Sequence, residues 1–143
     1  MSYSRGDVPV SRKLGTQGNK ILARTPFKAV PMTIDFTNVS ADADGNYKVP
    51  AGTPVDSAGA PMTAFKVNTG SEQAPSYKYA EGVLLYDVYK DEPAGAVLVD
   101  AFIDCTAAKA ATSLAYNAAF IANAFEANTK TGHTLKFENV VAG

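Results

Sequence analysis

Tryptophan is absent from the 143 residues of this chain, and cysteine and histidine occur once each. A lone cysteine excludes an intrachain disulfide, the staple on which small secreted scaffolds depend. Cys105 and His133 also fall short of a zinc site, since carboxylates would have to complete it and the acidic residues show no ligand spacing. The same two residues are the sole conventional nucleophile-and-base pair. Cys105 closes the apolar run AVLVDAFIDC and reads as a small buried hydrophobe, while His133, next to Gly132, reads as a helix-end or turn residue. GxxxxGK, GxGxxG, GxSxG and HExxH are missing as well. Asp87, Asp100 and Asp104 fall on strands or a strand exit, where wet or turn positions explain them better than paired-acid catalysis. These gaps point away from an enzyme and away from any bound metal or cofactor.

Charge is scarce too. Charged residues make up 19% of the chain against 46% hydrophobic, so it can build a core while keeping a surface mild enough to pack against other proteins. No apolar run reaches the roughly 18 residues that a membrane span needs. The opening MSYSRGDVPV lacks the apolar stretch of a secretory signal, so a chain soluble in the cytoplasm that makes it, with no membrane partner, is expected. The length suits one domain with attachments.

The charge that exists is unevenly placed. Residues 1–30 hold Arg5, Arg12, Lys13, Lys20, Arg24 and Lys28 against Asp7 alone, whereas the remainder carries seven basic and thirteen acidic residues. Gly, Pro, Ser and Asn interrupt this segment, which shows no helix-length periodicity and reads as an extended basic arm. Interleaved aromatics, a zinc pattern and a recognition helix are lacking, so nucleic acid is not the expected partner. The apolar residues Ile21, Leu22, Phe27 and Val30 favour contact with an acidic protein surface, because their burial adds affinity that exposed charge alone does not.

From residue 31 onward the pattern is β. PMTIDFTNV alternates Met32, Ile34 and Phe36 with polar partners and predicts a strand. Asp44-Gly45 predicts a hairpin turn; the oxygen-rich Asp42, Asp44 and Asn46 lack the glycine and glutamate offsets of a calcium loop. Pro50, Gly52, Pro54 and Gly59 then force corners around a short edge segment. FKVNTGSEQAPSYKYAEG reads as a surface excursion tied down by Phe65 and Val67 at one end and Tyr77 and Tyr79 at the other. GVLLYDVY and AVLVDAFIDC flank the tight turn DEPAG and are apolar on nearly both faces, which predicts central strands covered by a second layer or a neighbouring subunit.

After Cys105 the composition changes to alanine, with Gly and Pro absent until Gly132. One helix over about residues 107–129 is expected, with Thr106 as N-cap, Gly132 just past its end, and a stripe of Leu114, Ala118, Ile121 and Phe125. Tyr116 and Phe120 widen that stripe beyond what one sheet covers, so Leu114, Tyr116, Phe120, Ile121 and Phe125 form a candidate oligomer interface. HTLKFENV closes the chain as an edge strand. The expected fold is mainly β, a small antiparallel sandwich or barrel-like domain over residues 31–143, with an extended N-terminal arm over residues 1–30 and one C-terminal α-helix.

YKVPAGTPVDSAGAP, then AEGVLLYDVY, the turn DEPAG and AVLVDAFIDC, together resemble the core domain of tailed-phage head fiber and capsid decoration proteins. The likeness spans residues 47–105 and lies in the order and spacing of these motifs; Ala101 stands where the family pattern tends to carry glycine. The resemblance implies a corner shaped by Pro50, Gly52 and Pro54, a tight strand entry at Gly82, and a homotrimer bound to the major capsid protein on the outside of the virion. In that setting the arm residues Arg5, Arg12, Lys13, Lys20, Ile21, Leu22, Arg24, Phe27 and Lys28 would contact the shell. The alternative is a carbohydrate-binding module for host attachment, which requires an exposed aromatic patch such as Tyr77, Tyr79 and Tyr86 beside acidic acceptors.

Overall fold

The computed structural model describes residues 21–142, and the expectations placed on Arg5, Arg12, Lys13 and Lys20 lie outside them. Described residues form β1 (Leu22–Thr33), β2 (Lys48–Val49), β3 (Pro54–Val55), β4 (Lys66–Asn68), β5 (Tyr77–Tyr79), β6 (Gly82–Leu84), β7 (Val88–Tyr89), β8 (Ala94–Asp104), α1 (Cys105–Thr112), α2 (Ala118–Thr131) and β9 (Thr134–Glu138). The fold is mainly β and mostly antiparallel, and its sheets do not close into a barrel.

The spine is β8, whose run of Val, Leu, Phe and Ile suits a pleated, two-sided environment. The main sheet runs β1-β8-β6-β3, while β9 pairs in parallel with the C-terminal half of β8. Ala101 sits within that regular pairing, opposite Leu135. Two short ladders, β2 with β7 and β4 with β5, complete the β structure.

The side chains of the central strands divide between two cores. Val83, Leu85, Leu98, Ala101 and Ile103 enter a cluster with Phe65, Tyr116, Phe120, Ile121 and Leu135. Leu84 and Val97 face the other way, toward Ile34, Phe36, Val49, Val55 and Val88. The second apolar face of β6 and β8 is therefore covered by the chain's own segment after β1 and by the β2–β7 ladder.

The first strand begins well before the alternating segment that predicted it. The long edge of β8 is completed by residues 22–33, whereas Ile34 and Phe36 bury their side chains from irregular backbone. The single expected helix is two. Alanine favours helix throughout, but tertiary packing overrides it at Tyr116, whose φ of 44° breaks the helical path and drives the ring into the first core. Ser113 ends α1 in the left-handed conformation, and Asn117 restarts the chain as the N-cap of α2, its side chain accepting from Phe120 N. Asp104, two residues before the expected cap Thr106, caps α1 by accepting from the backbone N–H groups of Thr106 and Ala107; Gly132 ends α2 as expected.

Candidate functional site

The segment VPAGTPV is a buried corner in which nearly every polar group closes on the fold itself. Gly52 takes φ +95°, a left-handed conformation that glycine adopts without steric cost, and its N–H donates to Leu84 O at 2.8 Å. Leu84 N returns a bond to Thr53 O at 3.0 Å, and β3 pairs with β6 through Pro54 opposite Val83. Thr53 donates its hydroxyl to Pro50 O at 2.8 Å. Pro54 offers no donor, which suits its place on the edge strand β3.

Two side chains from later in the sequence lock this corner. Asp87, buried between β6 and β7, accepts from Ala51 N at 2.8 Å and lies 3.8 Å from the Lys48 ammonium. Tyr116, fully buried, donates its hydroxyl to Gly52 O, and burial pushes its pKa well up, so the phenol stays a neutral donor. Removing Asp87 would leave the Ala51 N–H without a partner in a dry site. We expect Asp87→Ala to cost about 1–3 kcal/mol of unfolding free energy, read as a lower urea midpoint in equilibrium unfolding.

Just beyond the corner, Asp56 organises the turn that leads to Pro61. Its Oδ1 accepts from Ala58 N and Ala60 N at 2.9 Å each, and Lys78 Nζ reaches Oδ2 at 3.1 Å. Burial opposes the charge, but the Ala60 N–H, the Lys78 ammonium and the Ala58 N–H outweigh it and hold the carboxyl below its usual range. A lowered folded-state pKa stabilises the protein above the unfolded carboxylate value of about 4 and loses that effect as pH falls through the folded value. The difference in melting temperature between the parent and Asp56→Asn is therefore expected to be full at neutral pH and to shrink below about pH 4, a trend that thermal melts across a pH series would check.

A cleft of about 280 Å³ borders the corner, lined in part by Val49, Pro50, Thr53, Pro61, Met62 and Leu114. The bonds above consume the corner's own polar groups, so the cleft is mostly an apolar depression beside a rim.

The residues expected to form the arm separate into two groups. Ile21 is fully buried, and its carbonyl accepts from Asp104 N at 2.8 Å. Leu22, Arg24, Phe27 and Lys28 belong to β1. The arm boundary expected at residue 30 is corrected accordingly, because these residues complete the β8 edge. Their pairing hides them from periodicity: between Arg24 opposite Phe102 and Lys28 opposite Asp100, three residues of β1 face the single residue Ala101. Arg24 Nε contacts Glu138 Oε2 at 2.7 Å and its guanidinium lies 5.4 Å from the Phe102 ring centre.

The candidate oligomer interface is also divided. Tyr116, Phe120 and Ile121 pack inside the first core, where Phe65 meets the Phe120 ring edge to face at 5.3 Å. They are corrected to core residues, because the break at Tyr116 turns the wide stripe onto the chain's own sheet. Leu114 is half-buried beside the cleft, and Phe125 alone of the five remains 48% exposed.

Nor do the three tyrosines form an open platform. Tyr79 donates to Glu126 Oε2 at 2.5 Å, Lys66 Nζ sits 4.3 Å from the Tyr77 ring centre, and Tyr86 is half-buried against the first core. The Tyr79 hydroxyl and the Lys66 ammonium together lower the Glu126 pKa, and this set fastens the β4–β5 hairpin to α2. Cys105 is buried with its thiol pushed up to about 11 by desolvation and by Asp104, so it is protonated at neutral pH. His133 Nε2 contacts Glu81 Oε2 at 2.5 Å, tying the start of β9 to the loop before β6. Among the described residues no group of three His, Cys, Asp or Glu side chains is placed to hold a metal, and no helix is long and apolar enough to cross a membrane. Comparisons with protein-family models, curated proteins and solved structures yield no match to this chain.

Sequence reasoning missed Asp56 and the roles of Tyr116 and Asp87. Asp56 carried a usable signal, since Asp-Ser-Ala-Gly is the composition of a turn in which the carboxylate bonds the backbone two residues on. Long-range partners such as Tyr116 and Gly52 leave no local pattern.

Proposed function

We propose that this chain is a structural protein of a tailed-phage virion, bound to the outer surface of the head through the major capsid protein, where it decorates or cements capsomers or forms a fiber base. One observation carries the reading. The three motifs that resemble the decoration-protein core meet in one interlocked unit, the corner bonded to β6, β6 paired with β8, and Asp87 and Tyr116 closing it. Their conspicuous residues serve architecture, as a load-distributing shell component requires. In this reading the basic segment before β1 makes the attachment. Copies associate as a trimer in this reading, and Phe125 is the member of the expected interface left exposed to take part.

Co-sedimentation with empty phage heads tests the proposal, comparing the full chain with one lacking residues 1–20. The truncation stops there because removing residues through 30 would delete most of β1 and unfold the sheet. The full chain is expected to pellet with the heads and the truncated chain to stay in the supernatant, both being folded by circular dichroism. A full chain that stays in the supernatant while binding immobilised glycans would replace this reading with a carbohydrate module.

A further inference from the structure

We infer that the β1 bulge, with Phe27 at its crest and Lys28 beside it, is a second contact point that inserts into an apolar socket rimmed by carboxylates on the shell protein. This inference rests on the proposed attachment to the shell. The bulge arises where residues 25–27 face Ala101 alone, which lifts the strand out of the ladder and leaves Phe27 42% exposed. β1 lies at one end of the sheet order, so its far edge carries no paired strand of the described chain. Pro26 and Pro31 remove two backbone donors from that strand, which disfavours docking by strand addition and leaves side-chain insertion as the mode of contact.

Charge and position specify the occupant. Arg24, Thr25, Pro26, Phe27 and Lys28 are all exposed, and they follow a 20-residue segment holding Arg5, Arg12, Lys13 and Lys20 against Asp7. That segment is followed by Ile21, whose carbonyl accepts from Asp104 N immediately before the strand. The bulge thus follows directly in sequence on a net-basic segment and adds Lys28 beside Phe27, while Arg24 at its base is engaged by Glu138. A partner that matches it carries negative charge around a pocket for one aromatic ring. A flexible polyanion would answer the charges but not the ring.

Binding of the full-length protein to empty heads, measured by co-sedimentation over a concentration series, tests the assignment through three variants. Phe27→Ser is expected to weaken binding roughly tenfold, the scale of losing one buried anchor. Lys28→Glu is expected to weaken it by a similar factor and to show a shallower salt dependence. Tyr77→Ser removes a comparably exposed aromatic from the separate β4–β5 hairpin and is expected to bind like the parent. A parent that binds while Phe27→Ser binds equally well would overturn the bulge contact and leave shell attachment standing. A parent that does not bind would overturn shell attachment itself. Binding of the parent to naked nucleic acid with the same loss on Phe27→Ser would overturn the protein socket.

Discussion

Tyr116→Ala is expected to remove about 4 kcal/mol or more of unfolding free energy, near the upper range for deleting a large buried ring. The ring is fully buried and touches the aromatic groups of Phe65, Phe120 and Phe137, with its centre 4.6 Å from that of Phe120. Removing it opens a cavity where the corner, α2 and β9 converge, and partial relaxation cannot refill that space. The hydroxyl adds a second loss, since Gly52 O would sit in the core without its donor. Against a total stability of about 5–15 kcal/mol, such a loss depopulates the native state of a domain at the low end. Tyr116→Phe separates the two contributions: it keeps the ring, strands the carbonyl, and is expected to cost about 1–3 kcal/mol. Urea unfolding of the parent and both variants provides the comparison, and equal stability of Tyr116→Phe and the parent would show that the bond to the corner contributes nothing.

Gly82→Val is expected to be the other severe change. A Cβ built at Gly82 falls 2.3 Å from Leu98 O and 2.7 Å from Val97 Cγ1. The first of these is backbone of the paired strand and cannot rotate away, so β6 must separate from β8. That separation also strains β3, which hangs on β6 through Pro54 and Val55. Overpacking of this kind costs about 3 kcal/mol or more, the upper part of the usual range. The expected result is a chain recovered mainly as insoluble protein, with Gly82→Ala intermediate in yield and melting temperature. A soluble Gly82→Val variant with parental melting temperature would mean that β6 enters the sheet elsewhere.

Much of the fold was legible wherever local chemistry and tertiary packing agree. The apolar character of both faces in GVLLYDV and AVLVDAFID placed β6 and β8 centrally, and Asp44-Gly45, Gly52 and Gly132 mark a turn, a corner and a helix end where the positive φ angles of their glycines lie. The misreadings occurred where a distant partner decides the outcome. Residues 22–30 looked like a tail because a bulge erases strand periodicity, and only the open edge of β8 makes them a strand. The alanine-rich segment looked like one helix because nothing local announces that Tyr116 must reach Gly52. For the same reason Tyr116, Phe120 and Ile121 looked like an interface; apolar width on a helix does not reveal whether the cover is another chain or the same one.

Hydrogen exchange of the full-length protein, alone and bound to empty heads, tests the division between an architectural corner and an attaching N-terminal region most directly. The expected result is new protection at residues 1–28, with the exchange of residues 48–62 unchanged because the N–H groups of Ala51, Gly52, Thr53, Asp56, Ala58, Gly59, Ala60 and Met62 are already bonded within the fold. New protection centred on residues 48–62 and the cleft beside them, with residues 1–28 unaffected, would contradict it and make the corner a binding site.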